Sequence, residues 1–180
     1  AHAALPAPTD ADWARVEKGD VVTRAAPELD PPGAYAWVEI EASPETIWAV
    51  LIDPAEAVKA SGSVSSCETY LDEETATGRR IGLHYVLEVA FTEVSYHVLR
   101  DFRPSEAIMT WTLDPAKPND LVHTSGTYTL QPGRTPGHLL LSYQSKVDSG
   151  RNIPQWVSNL LTGRALKGYI GHVRTVSEAR

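Results

Sequence analysis

Five side chains able to do polar chemistry fall on one face of a long alternating apolar pattern: Tyr85, Tyr96, Arg100, Tyr128 and Tyr143. A tyrosine offers a broad ring and a hydroxyl that needs a partner when buried. A guanidinium turned inward must be paired or wet. Thr124 and Ser145 share the face and add neutral hydroxyls. Such a set can bind and orient a molecule, but it holds no histidine or carboxylate to act as general base. Plain core packing accounts for the tyrosines equally well. For Arg100, a polar cavity end and a shifted strand register remain alternatives. The chain has no G-x-S-x-G elbow, no H-E-x-x-H, no phosphate-binding glycine loop and no paired cysteines. Its histidines are scattered, and His84, His97, His123 and His138 have outward or uncertain parity, which favours solvated side chains over ligation. Cys67, the single cysteine, can make neither an internal disulfide nor a structural zinc site, and reads as a small core residue as readily as a reactive thiol.

The elements that must position these groups follow from periodicity and capping signals. Thr9 and Asp12, with Trp13 and Val16 on one face and Gly19 beyond, predict a short helix over residues 10–18. A strand is expected over 20–24, a proline-rich loop over 25–33, and a half-buried strand over 35–42, with Ala36, Val38 and Ile40 inside and Glu39 and Glu41 outside. Ser43 as cap, Pro44 at the first helical position and the stripe Ile47, Trp48, Leu51, Ile52 predict a second helix ending at Asp53, with a third, short one over 55–59.

From Ser65 to Asp148 the period is two, broken at 73–78, 91–93, 104–105, 114–120 and 131–137, which predicts six consecutive antiparallel strands. Their inner face carries Ile81, Leu83, Tyr85, Leu87 and Val89, then Val94, Tyr96, Val98, Arg100 and Phe102, then Met109, Trp111 and Leu113. It continues through Val122, Thr124, Gly126, Tyr128 and Leu130, and through Leu139, Leu141, Tyr143, Ser145 and Val147. Residues 154–178 then read as one long helix, notched by Gly163, Gly168 and Gly171. Those glycines indicate either close helix-sheet packing or space for a ligand beneath a helix that loosens. The layout is α+β, a single domain over 10–180 behind a flexible tail over 1–9.

Composition bounds the partners. The chain has 180 residues, 42% hydrophobic and 22% charged, and its 16 basic against 23 acidic residues give a net charge of −7. That excludes disorder and leaves no basic footprint for nucleic acid. The longest apolar run, Ile47 to Ile52, is far short of the roughly 20 residues that cross a bilayer, so a soluble chain is expected. The opening AHAALPAP resembles the tether after a removed signal peptide, or is simply an end. A periplasmic or secreted location fits the first case, with a cytoplasmic one left open.

Four stretches carry a resemblance: GDVV at 19–22, EIEASPETIWAVLIDP at 39–54, GTYTLQP at 126–132, and SYQSKVDSG at 142–150 leading into IPQWVSNLL at 153–161. Together they resemble the steroidogenic-acute-regulatory-related lipid-transfer (START) domain of the helix-grip superfamily, over about residues 10–178. The resemblance implies a curved antiparallel sheet gripping a long C-terminal helix, with one enclosed hydrophobic cavity between them for a sterol or other lipid. Several hundred Å³ or more is the expected size. The candidate ligand contacts are then Tyr85, Leu87, Tyr96, Arg100, Trp111, Thr124, Tyr128, Tyr143 and Ser145 on the sheet, and Trp156, Val157, Leu160 and Leu161 on the helix. The reading is a non-catalytic carrier, monomeric, in transient contact with membranes, with no cofactor, metal or nucleic acid. The alternative is an enzyme of the polyketide cyclase or aromatase kind using the same cavity. The loop over 114–120 is expected at the cavity mouth, facing the last helix.

Overall fold

The computed structural model describes residues 4–89, 91–151, 153 and 163–180. Helix α1 (Asp10–Val16) opens with a reciprocal cap: the Asp12 N–H donates to the Thr9 hydroxyl and the Thr9 N–H to the Asp12 carboxylate. Gly19, at φ +89°, turns the chain out of the helix, where a side chain would be strained. Strand β1 (Val22–Ala26) pairs antiparallel with β2 (Gly33–Ile40), from Val22 opposite Trp37 to Ala26 opposite Gly33. This ladder moves β1 two residues later and β2 two residues earlier than the alternation predicts.

Strand β2 is also buried on both faces, not one. On its second side Tyr35 and Trp37 pack with Trp13, Val16 and Leu140 into a small separate core. Glu39, expected in solvent, is buried there and accepts from the Arg134 and Thr135 N–H groups and the Thr135 hydroxyl. A buried carboxylate stays charged only with such donors, and they hold it below the usual carboxylate range against the opposing effect of burial.

Helix α2 (Pro44–Ile52) is capped by Ser43 as its sequence predicts, and α3 (Pro54–Ala60) by Asp53, whose carboxylate accepts from the Ala55 N–H. Six strands follow as a meander: β3 (Val64–Thr75), β4 (Gly78–Val89), β5 (Thr92–Arg103), β6 (Ile108–Leu113), β7 (His123–Pro132) and β8 (Leu139–Asp148). The first hairpin is tighter than expected, since β3 runs on to Thr75. The sheet order is β1-β2-β8-β7-β6-β5-β4-β3, antiparallel throughout, which brings β2 beside β8. Apart from Val89, whose side chain lies outside the described residues, the inner face is the one the alternation assigns, with one correction. Val122 precedes the paired residues of β7 and is 65% exposed.

Helix α4 (Arg164–Ala179) closes the inner face through Leu166, Ile170 and Val173, which join the main core with Ile47, Trp48 and Leu51. A single helix over 154–178 is not what the chain forms: Gly163 sits at φ −102°, ψ −128°, outside helical space. Residues 154–162, and with them Trp156, Val157, Leu160 and Leu161, lie outside the described residues. Nor does close packing explain the helical glycines. A Cβ on Gly168 would meet nothing within 4 Å, and one on Gly171 only the Val21 methyl at 3.7 Å. Gly168→Ala should therefore stabilise the protein by up to about 1 kcal/mol, read as a higher urea midpoint at unchanged slope.

The far end of α4 is tied to α3 by charge. Glu56, 3% exposed, accepts from His172 at 2.6 Å, Lys59 at 3.2 Å and Arg180 at 3.3 Å. The His172 hydrogen bond is the chief reason its carboxyl sits below the usual range. A lowered carboxyl contributes stability above its unfolded value, and that contribution fades as pH falls through the folded one. Stability measured across acid pH should thus fall less steeply in Glu56→Gln than in the wild type.

Candidate ligand-binding cavity

Between the inner face of the sheet and helices α3 and α4 lies a cavity of about 150 Å³. It is smaller than the several hundred Å³ expected because aromatic rings occupy much of the concavity. Tyr85 and Tyr96, cross-strand partners on β4 and β5, stack at 5.3 Å with planes 13° apart. Trp111 leans on Tyr128 at 5.2 Å and on Tyr143 at 5.6 Å, and those two tyrosines meet at 5.2 Å. Gly126, opposite Trp111 in the ladder, makes this arrangement feasible. A Cβ there would come within 2.1 Å of the indole ring.

Of the residues singled out from the sequence, Tyr85, Leu87, Tyr96, Arg100, Trp111, Thr124, Tyr128 and Tyr143 line the cavity together. Ser145 is buried on the same strand face but is not among the residues that line it. The structure adds Ala57, Ser61 and Ser63 from the α3 end, and Ala165, Leu166 and Tyr169 from α4. Tyr169 had a legible signal, three residues after Leu166 and four before Val173 on one helical face. The sequence reading places the helix's ligand contacts at its start, over 156–161, and leaves this later stripe as core.

The inward parity of Arg100 holds, so the shifted-register alternative falls: Arg100 stands between Ile81 and Trp111 and is 6% exposed. One terminal guanidinium nitrogen donates to the Leu51 carbonyl at 2.6 Å, at the end of α2, and the other to the Tyr85 hydroxyl at 2.9 Å. Among the described residues its Nε has no hydrogen-bond partner. Burial raises the phenols around it, Tyr143 to about 12, so they are neutral hydroxyls at physiological pH and not phenolate bases. Burial likewise pushes the Cys67 thiol up to about 11, which keeps it an unreactive thiol. Among the described residues, no histidine or carboxylate lines the cavity.

The loop over 114–120 does not border the cavity. Asp114 accepts from the Tyr70 hydroxyl at 2.8 Å, Asn119 from the His97 N–H and Asp120 from the Ser95 N–H, all on the outer face of the sheet. Those hydrogen bonds anchor the loop on that face. His84 and His97 also sit outside, stacked at 4.1 Å.

Residues 33–173 match the family described as polyketide cyclase / dehydrase and lipid transport. The chain belongs to this family. Solved structures sharing the fold include the Zhui aromatase/cyclase from Streptomyces sp. R1128, with TM-score 0.60, 14% identity and coverage of 88% of this chain and 96% of that one. A START superfamily protein from Mycobacterium smegmatis is similar at TM-score 0.55 and 17% identity, over 90% of this chain and 97% of that one. Human STARD10 is similar at TM-score 0.56 and 16% identity, over 94% and 81%. No curated protein matches the sequence. The START-like helix-grip fold read from the sequence is therefore the fold of this family member. At these identities the neighbours speak for fold alone, and they include both aromatase/cyclases and lipid-transfer proteins.

Proposed function

We propose that this family member binds a hydrophobic ligand in the cavity without transforming it and carries it between surfaces, the ligand class being a sterol or another lipid. The observation that supports this most is the lining itself: rings and aliphatic side chains, hydroxyls held neutral, and one cation, with no acid-base pair among the described residues. Burial of the ligand's apolar surface, at about 25 cal/mol per Å², supplies the driving force. A sterol-sized occupant needs more than 150 Å³, so binding it requires the rings or α4 to shift. The carrier acts as a monomer, touches a membrane transiently, and has no nucleic-acid partner.

A second reading, a cyclase- or aromatase-like enzyme, has one observation in its favour. Arg100 and the tyrosine hydroxyls face the cavity as donors that could polarise a carbonyl. The test is extraction of copurified lipid from the native protein with identification by mass spectrometry, followed by titration of the delipidated protein with fluorescent sterol and acyl probes. Stoichiometric binding without turnover supports the carrier. Failure to bind any lipid class removes it, and turnover of a polyketide-like substrate assigns the enzyme.

A further inference from the structure

We infer that the ligand carries a carboxylate, and that this group seats against the guanidinium of Arg100; the inference rests on the ligand-binding reading above and names the ligand's chemistry. Arg100 is a buried charge. Among the described residues no carboxylate pairs with it, and the groups it bonds to, the Leu51 carbonyl and the hydroxyls of Tyr85 and Tyr169, are neutral. The groups whose fields it feels most are the phenols of Tyr85, Tyr169 and Tyr128 and the thiol of Cys67. An arginine does not shed its proton in a protein, so the charge stays.

An ion in this position costs several kcal/mol of lost hydration unless something compensates it. The C-terminal end of α2 offers only a partial negative charge through Leu51. One cation and one unsatisfied Nε donor together match one monoanion that accepts hydrogen bonds, which is what a carboxylate is. A ligand alcohol would satisfy the hydrogen bond and leave the charge unbalanced. The size of the cavity bounds the part of the ligand near that group, since a space of about 150 Å³ accepts a benzene ring. The carboxylate therefore belongs to one ring or to the head end of an acyl chain, held between the Tyr85–Tyr96 stack and Trp111. The protein as a whole carries −7, so its overall field disfavours acids, and a preference for them must arise locally.

The experiment is calorimetric titration of the delipidated full chain with matched pairs, phenylpropanoate against phenylpropanol and decanoate against decanol, at neutral pH. The acid of each pair should bind on the order of tenfold to a hundredfold more tightly, the worth of a charge-assisted hydrogen bond in a dry site. That preference should survive high salt, because a buried pair is screened far less than a surface one. In Arg100→Gln the acid-to-alcohol ratio should fall to about one. Equal or weaker binding of the acids by the wild type overturns the inference, as does an acid preference that high salt abolishes. The wild-type comparison decides even where Arg100→Gln does not fold. If neither member of any pair binds, and no sterol or acyl probe binds either, it is the ligand-binding reading that fails.

Discussion

Alanine at Trp37 should cost the protein about 3–5 kcal/mol, read by urea denaturation as a lower midpoint. The indole is 1% exposed at the centre of the outer small core, stacked on Tyr35 at 5.8 Å, and its Nε1–H donates to the Pro6 carbonyl at 3.1 Å. Arg24 lies over its ring at 5.1 Å. Removing it opens a large void, loosens the packing of α1 and releases the segment around Pro6. Trp37→Phe keeps a ring in place and loses the hydrogen bond, so it should cost clearly less. A cost below about 1 kcal/mol for Trp37→Ala would mean that the outer layer contributes little to the fold.

The second large effect is at Ile170. Its side chain is fully buried where α4 meets the main core, and Ile170→Ala should destabilise by about 2–5 kcal/mol. The same helix supplies Ala165, Leu166 and Tyr169 to the cavity. Loosening it should also speed release of a bound probe, measured by competition in stopped flow. Arg174→Ala serves as control: its guanidinium donates to the Gly19 carbonyl at the surface, and neither quantity should move much. Release unchanged in Ile170→Ala, despite the lost stability, would place the exit elsewhere than under α4.

The wall of the cavity was legible in the sequence because an antiparallel strand alternates strictly, and one inward residue fixes the parity of all the others. Arg100 shows this: the period-two pattern alone turns it inward, against the expectation that a charge faces water. What stayed illegible depends on pairs of distant segments. Nothing near Glu39 announces that the loop at 134–135 will cover it. The resemblance together with parity overstates the size of the cavity, because parity says which rings point inward, not how far they fill the space between them. The position of the loop at 114–120 is illegible for a related reason, since its anchors, Tyr70, Ser95 and His97, lie on neighbouring strands' outer faces.

The strand order also bears on how the chain reaches this state. From β3 to β8 every strand pairs with its neighbour in sequence, so the meander can grow by successive short loop closures. Strand β2 is different: Gly33 must find Lys146, and Ile40 must find Leu139, from opposite ends of the chain. Contacts of such separation slow folding, because the entropy of closing the long loop is spent before the ladder repays it. The β2–β8 pairing is the expected bottleneck, and α4, which follows β8 and packs on β2, can complete the cavity only afterwards. Refolding should therefore slow when β2 is weakened, for instance by Val38→Ala, whereas Val16→Ala in α1 should act mainly by hastening unfolding.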